Sequence, residues 1–236
     1  IVNADDPHSE KMLENIGVPS ASFGITDRAD VCASEIDITT RGVQFDMITR
    51  IGKTRINIPT PGLFSVYNAM GASAAAIQLG FSLDTIKHGL EKMGVVSGRL
   101  EPLPSGGREF TVFLDYAHKP DALENVLKTV RGFAKGRIVT LFGCGGDRDK
   151  AKRPLMGEVA GRYSDFIVLT SDNPRSEEPM SIISAIEEGV KKTGTEYVVI
   201  ENRYAAIEYA LFNAHKDDVI ILAGKGHESY QEINGG

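Results

Sequence analysis

The second half of the chain alternates short, almost wholly apolar runs with longer segments in which apolar residues recur at helical spacing. The apolar runs predict strands and the longer segments predict helices. The predicted strands cover residues 110–114, 137–142, 165–170, 197–200 and 219–223, and the predicted helices cover 121–133, 154–162, 180–192 and 204–213. Buried strands that alternate with amphipathic helices are typical of a parallel sheet covered on both faces. This half is therefore predicted to be an open α/β domain.

The first half has a different pattern, with short β-like runs separated by Gly and Asp. These runs predict strands at 21–25, 31–38, 43–48 and 54–58, joined as hairpins or a meander. A strand end at residues 1–2, a turn and a short helix ending near Asn15 precede them. An Ala-rich helix at 66–79 and a helix at 83–93, capped by Ser82, follow them. The Gly94 to Gly98 stretch is the candidate domain boundary, which divides 1–97 from 98–236.

Composition narrows the class of protein. The 236 residues are 42% hydrophobic and 25% charged, which is ordinary for a globular protein of two modest domains and excludes a disordered chain. A formal charge of -6 without a dense basic run argues against nucleic-acid binding. Two cysteines and apolar runs far shorter than the ~20 residues of a membrane span favour a cytoplasmic protein without membrane insertion. Because the chain starts inside an apolar run without Met, we expect a piece of a longer protein.

Four of the predicted strands lead directly into unusual polar loops. These loops are 115–120, 143–150, 171–175 and 224–228. Ligands bind beyond the carboxyl ends of the strands in open α/β sheets, so the four loops are expected to converge on one ligand. Arg148 and Arg175 suit carboxylates, whereas Asp172 and Glu228 suit ammonium groups. Together they favour an amino acid that carries two groups of each sign.

Each loop also has a purely structural explanation. The glycines at 143, 145 and 146 could supply positive φ for a tight turn, Asp172 could cap a turn, and both arginines could be solvated. Several other signals are excluded. Gly52-Lys53-Thr54 is not a phosphate-binding P-loop, because Met47 replaces its first glycine, and Arg148 breaks the dinucleotide glycine fingerprint. The histidines and cysteines show no metal-ligand spacing.

The four loops, with Lys152-Arg153-Pro154 and Tyr230-Gln231, resemble the Mur ligases over almost the whole chain. The Asp-Asn-Pro-Arg stretch at 172–175 resembles the signature of members that select meso-diaminopimelate rather than lysine. The resemblance implies that 1–97 is the end of the central ATPase domain and that 98–236 is most of the C-terminal, Rossmann-like domain. It also implies ATP and Mg²⁺ as cofactors, UDP-MurNAc-L-Ala-D-Glu and meso-diaminopimelate as substrates, and a monomer. The P-loop and the catalytic lysine would lie upstream, so no catalytic or metal-binding residue is expected here and the chain alone should be inactive.

The resemblance also assigns individual residues. Its diaminopimelate contacts would be Arg148, Asp172, Asn173, Pro174, Arg175, Gly224 and Glu228. Its ATP contacts would be Asn68, Arg99 and Asp115, with His118 nearby; Ser65 stands where many relatives have Asn.

Three alternatives stay open. One is a related ligase that adds lysine or another amino acid, or a folylpolyglutamate synthase, although Arg175 facing no carboxylate would then be left unpaired. The others are a non-catalytic amino-acid-binding module and an oxidoreductase, which the broken glycine fingerprint disfavours.

Overall fold

The computed structural model describes residues 1–233 of the chain. It divides into two compact units, Ile1–Val95 and a second unit from Val96 onward, and each is described by itself. Within residues 1–233, no helix is both long enough and apolar enough to cross a bilayer.

The first unit is a five-stranded sheet packed against helices. Its elements are β1 (Val2–Asn3), α1 (Ser9–Leu13), β2 (Ser22–Gly24), β3 (Val31–Thr39), β4 (Gly42–Thr49), β5 (Gly52–Ile58), α2 (Leu63–Gln78) and α3 (Leu83–Lys92). The strands lie in the order β1-β2-β3-β4-β5. Phe45, Met47 and Ile56 from the sheet pack with Val66 and Met70 of α2 in one buried core.

The connection between β2 and β3 differs from the prediction. β3, β4 and β5 form the predicted antiparallel meander, but β2 pairs with β3 in parallel. The carboxylate of Asp30, just before β3, accepts hydrogen bonds from the backbone N–H of Ser22 (2.8 Å) and from its hydroxyl (2.9 Å). These bonds hold the start of β3 beside the start of β2, which is a parallel arrangement. The hairpin prediction is wrong at this position.

The second unit is an α/β fold around a six-stranded sheet. Its elements are β6 (Glu101–Leu103), β7 (Thr111–Asp115), α4 (Pro120–Arg131), β8 (Ile138–Phe142), α5 (Lys152–Tyr163), β9 (Phe166–Leu169), α6 (Pro179–Lys191), β10 (Tyr197–Val199), α7 (Arg203–Phe212) and β11 (Val219–Ala223). The strand order is β10-β9-β8-β11-β7-β6; β6 pairs with β7 in antiparallel fashion, and all other neighbouring strands are parallel. The predicted strands and helices of this half are confirmed within two residues. Sequence patterns missed β6, a three-residue edge strand that contains Pro102.

Helices cover both faces of this sheet, as predicted. Residues at alternate positions of β8 belong to different cores: Ile138 and Phe142 pack with α4, α5 and α6, whereas Val139 and Leu141 pack with α7. α5 and α6 cross closely because each has a glycine at the contact. A Cβ on Gly157 would overlap the carbonyl oxygen of Ile186, and a Cβ on Gly189 would overlap that of Pro154.

Candidate functional site

The four loops after β7, β8, β9 and β11 border one cavity of about 450 Å³ in the second unit. The four loops therefore lie at one edge of the sheet, as predicted, and their convergence on one ligand stays a prediction. Of the predicted amino-acid contacts, the cavity is lined by Arg148, Asp172, Asn173, Arg175, Gly224 and Glu228. Pro174 is not among the lining residues, and His118, predicted for ATP, lines the same cavity.

The glycines of the β8 loop bring two loops into contact. None of Gly143, Gly145 and Gly146 has a positive φ, so the tight-turn explanation is wrong for them. The backbone N–H of Gly146 donates to the carbonyl of Asn173 (2.8 Å), and a Cβ at Gly146 would overlap the carbonyl oxygen of Pro174. These glycines are needed because the loop after β9 lies directly against this backbone.

Arg175 has a left-handed backbone, with φ 52°, which is uncommon for a residue other than glycine. Its guanidinium donates from Nη1 to the carbonyl of Gly146 (2.8 Å) and forms an ion pair between Nε and the Glu232 carboxylate (2.9 Å). Arg175 thus has a carboxylate partner within its own chain. This corrects the expectation that its guanidinium would be unpaired without a ligand carboxylate.

Arg148 is exposed at the edge of the cavity. Hydrogen bonds with Ser176 and Glu177 hold the backbone next to it. Its neighbour Asp147, also left-handed with φ 52°, accepts hydrogen bonds from the N–H (3.1 Å) and hydroxyl (2.7 Å) of Ser176. Glu177 accepts from the Asp147 N–H (2.7 Å) and pairs with buried Arg153 at 2.8 and 3.0 Å. These hydrogen bonds, from Arg153 first, lower the pKa of Glu177 to about 2. The sequence analysis included Arg153 in the family resemblance but did not predict its pairing with Glu177, which joins the two loops.

A buried lysine, also missed, organises the acidic side of the cavity. Lys225 is only 6% exposed. Its ammonium donates to the side-chain carbonyl of Asn173, to the backbone carbonyl of Tyr230 (2.7 Å) and to Glu228 (3.4 Å). The amide of Asn173 in turn donates to Glu228 (3.0 Å). The position of Lys225 inside the recognised Gly224-Lys225-Gly226-His227-Glu228 loop was the only sequence signal for it.

Asp172 has a carboxylate oxygen with an unmet hydrogen-bonding capacity. Its Oδ2 is buried and has no hydrogen-bond partner within residues 1–233. The nearest cations lie at salt-bridge range only, Arg203 at 3.9 Å and Lys225 at 4.0 Å. Burial lowers the pKa of Arg203, while the charges of Asp172 and Glu228 oppose that shift. A buried acceptor without a donor is costly, so this oxygen is suited to a cationic ligand group.

Gly224 lies against this oxygen with φ 102°, and a Cβ there would be 2.8 Å from it. A side chain at position 224 would therefore collide with this oxygen.

The predicted ATP contacts are divided between the two units. Asn68 is exposed on α2 of the first unit, whereas the other three lie in the second. Arg99 is exposed with its guanidinium 5.7 Å from the ring centre of Tyr116, and His118 forms an edge contact with that ring. Asp115 is buried; its oxygens accept from the N–H groups of Leu100 (2.7 Å) and Ala117 (2.8 Å). Burial raises its pKa, and these bonds lower it.

In this structure, Asp115 therefore ties together the backbone next to Arg99 and His118. Its predicted contact with ribose stays a prediction. Within the described residues, no group of three or more His, Cys, Asp or Glu side chains is arranged to hold a metal ion.

Comparison with known families agrees with these features. The Mur ligase glutamate ligase domain matches residues 98–226, more than half of the chain, and the Mur ligase middle domain matches residues 1–76. The chain belongs to the Mur ligase family.

This Mur ligase chain is similar to several proteins that share one name. It is 52% identical over 233 residues to the UDP-N-acetylmuramoyl-L-alanyl-D-glutamate--2,6-diaminopimelate ligase of Caldanaerobacter subterraneus subsp. tengcongensis, covering 99% of this chain and 48% of the relative. The protein of the same name from Clostridioides difficile is 48% identical over 236 residues, covering 99% and 49%. A solved structure with that name has a TM-score of 0.72 at 36% identity, covering 100% of this chain and 49% of that one. The chain thus spans about half the length of the relatives it matches.

Proposed function

We propose that this chain is part of a ligase that adds meso-diaminopimelate to UDP-MurNAc-L-Ala-D-Glu in peptidoglycan precursor synthesis, and that the cavity of the second unit binds the diaminopimelate. The observation that carries the proposal is the pairing of charges in this cavity. Arg148, Arg175, Asp172 and Glu228 all line it, and Asp172 has a buried carboxylate oxygen without a hydrogen-bond partner within residues 1–233. The names of the relatives support the same substrate.

In this proposal, the distal end of the amino acid is held as a zwitterion. Arg175 and Arg148 bind carboxylate, because a guanidinium presents paired N–H donors that match two carboxylate oxygens. Asp172 and Glu228 bind the ammonium of the distal centre. Asn173 contributes indirectly, since its amide fixes the Glu228 carboxylate at 3.0 Å. The other amine of diaminopimelate is left free to react.

The reaction follows from the family. The D-Glu carboxylate of the UDP-linked dipeptide takes the terminal phosphoryl group of ATP, the free amine attacks the resulting acyl carbon, and phosphate leaves as the amide forms. ATP supplies the phosphoryl group, and Mg²⁺ would neutralise its charge. This chain's contribution is to bind and orient the amine.

We also propose that Asn68, Arg99, Asp115 and His118 contribute to nucleotide binding. Arg99 and His118 are exposed and can reach a ligand, whereas Asp115 fits best as the residue that holds their backbone. The proposal assigns residues 1–97 to the central domain and 98–236 to the C-terminal domain of a cytoplasmic, monomeric enzyme.

The test is substrate choice in the full-length ligase. Arg175→Ala should lower kcat/KM for meso-diaminopimelate by up to about 10⁴-fold, because a site built to pair a charged group rejects a ligand that it can no longer pair. The weak activity with lysine should change little, since lysine lacks the distal carboxylate. Arg131→Ala, which removes an exposed arginine paired with Asp165, is the matched control. An unchanged ratio of the two efficiencies would refute the assignment of Arg175, and preference for lysine in the wild type would favour the lysine-adding alternative.

A further inference from the structure

The segment after the β11 loop is anchored to the wall of the cavity. The backbone N–H of Arg175 donates to the carbonyl of Glu232 (3.1 Å), and the N–H of Glu232 donates to the side chain of Asn173 (2.9 Å). Arg175 and Ile233 form a parallel bridge, and Lys225 binds the Tyr230 carbonyl at 2.7 Å. Three residues of the site, Asn173, Arg175 and Lys225, therefore hold residues 230–233 in place.

This anchoring places the Glu232 carboxylate against one particular atom of Arg175. The carboxylate lies 2.9 Å from Nε, while the carbonyl of Gly146 takes a hydrogen bond from Nη1 at 2.8 Å. Within residues 1–233, no group accepts a hydrogen bond from Nη2. Nε and Nη1 therefore have partners within the protein, and Nη2 is the guanidinium nitrogen that we assign to the ligand, since Arg175 lines the cavity.

We propose that Glu232 is a positioning residue that orients Arg175 for the distal carboxylate of the amino-acid substrate and so contributes to substrate choice. The inference rests on the proposed function. An arginine side chain loses considerable rotamer freedom when it is fixed, and a partner that holds it before the ligand arrives removes that cost from binding. Glu232 also compensates the charge of a largely buried guanidinium while the cavity holds no substrate, since the Arg175 side chain is only 19% exposed.

The contact geometry distinguishes this role from that of a competitor. A carboxylate that merely stood in for the substrate would have to leave when diaminopimelate binds. Glu232 instead comes from backbone held by two hydrogen bonds, and it contacts Nε rather than Nη2. Substrate and Glu232 can therefore pair with different donors of the same guanidinium.

Removal of the Glu232 carboxylate should weaken diaminopimelate binding for a positioning residue and strengthen it for a competitor. Binding of meso-diaminopimelate and of lysine is measured by NMR titration of this chain, and kcat/KM for both is measured in the full-length ligase. Glu232→Ala should weaken diaminopimelate binding and lower kcat/KM by about tenfold, on the order of the contribution of one interaction with a charged group. Lysine should be affected by less than about twofold. Glu232→Gln should restore only part of the loss, because it keeps the length of the side chain and an oxygen near Nε but removes the charge of the ion pair. Glu109→Ala removes an exposed carboxylate paired with Lys216 and is the control.

A second measurement reports on the pairing without any substrate. The Nε–H of Arg175 should exchange with solvent more slowly in the wild-type chain than in Glu232→Ala, as read from its side-chain NMR signal. Equal exchange would overturn the proposal, as would tighter diaminopimelate binding by Glu232→Ala, which would indicate a competitor. Diaminopimelate binding that Glu232→Ala leaves unchanged would overturn the role of Glu232 alone. Failure of the wild type to bind diaminopimelate would overturn the proposed function and, with it, this role in substrate choice.

Discussion

The buried ammonium of Lys225 should be among the most important single groups for the stability of the second unit. Lys225→Met keeps the length of the aliphatic stem and removes only the charged end. The loss would leave the Tyr230 carbonyl without its 2.7 Å donor and Glu228 without its 3.4 Å cation. Asn173 would keep one partner for its carbonyl, the Glu232 N–H at 2.9 Å.

The size of the effect follows from burial. Removal of one partner of a buried ion pair costs about 3–5 kcal/mol. Because the Glu228 side chain is 18% exposed, water can partly solvate the remaining carboxylate, and we expect the lower end of this range, about 3 kcal/mol. Lys216→Met is the matched control, since Lys216 also pairs with a glutamate, at 2.7 Å, but both side chains are about two-thirds exposed. That pair should contribute less than about 1 kcal/mol.

Native-state hydrogen exchange of the β11 amides, residues 219–223, is the suitable assay because it reports on the second unit alone. The free energy of opening should fall by about 3 kcal/mol in Lys225→Met and by less than about 1 kcal/mol in Lys216→Met. Equal losses in the two variants would refute the reasoning, because the argument depends entirely on the difference in burial. No loss in either variant would show that the cluster around Lys225 is solvated in solution.

Three further predictions concern packing, pH and reactivity. Gly157→Ala should destabilise the second unit by about 1–3 kcal/mol in urea unfolding, because its Cβ meets backbone of α6. Gly89→Ala, at a helical glycine with open space around it, should stabilise the first unit by about 0.5–1 kcal/mol; the same sign for both would contradict this account. The depressed pKa of Glu177 stabilises the fold above its ordinary value of 4.5, and this contribution should disappear as the pH falls from 4.5 towards about 2. Glu177→Gln should therefore flatten the acid limb of the stability curve, and an unchanged limb would refute the pairing with Arg153. Burial raises the pKa of the Cys144 thiol to about 12. Iodoacetamide at pH 8 should therefore label Cys144 only after unfolding, and rapid labelling of Cys144 in the native chain would contradict its burial.

The candidate site could be located from the sequence because the α/β pattern constrains it. Apolar runs of five residues between amphipathic helices are typical of buried parallel strands, and the carboxyl ends of such strands share one edge. Polar residues at those ends, such as Arg148 and Asp172, therefore had to border a common cavity. The loops that followed the strands were visible as departures from an otherwise regular pattern.

The partners of these residues could not be predicted in the same way. The pairing of Arg175 with Glu232 joins residues 57 positions apart in the sequence, and that of Arg153 with Glu177 depends on how two loops lie against each other. Gly145 and Gly146 indicated an unusual backbone conformation or contact in this loop. The sequence could not tell which, because close approach of another segment and a positive φ both favour glycine. The tertiary structure shows that close approach is the reason, since neither of these glycines has a positive φ.

The sequence by itself determined the helices and most strands of the second unit, and with them the edge of its sheet where the polar loops gather, because hydrophobic periodicity is a local property of the chain. It did not determine β6 or the parallel pairing of β2 with β3. Tertiary structure alone decided which charges are already neutralised within the protein and which remain for a ligand. The sequence assigned both Arg175 and Asp172 to charges on a ligand, but Arg175 has a carboxylate of the protein 2.9 Å away, whereas Asp172 keeps a buried oxygen without a donor within residues 1–233. Pairing and burial depend on distances between residues far apart in the chain, and no local pattern encodes those distances.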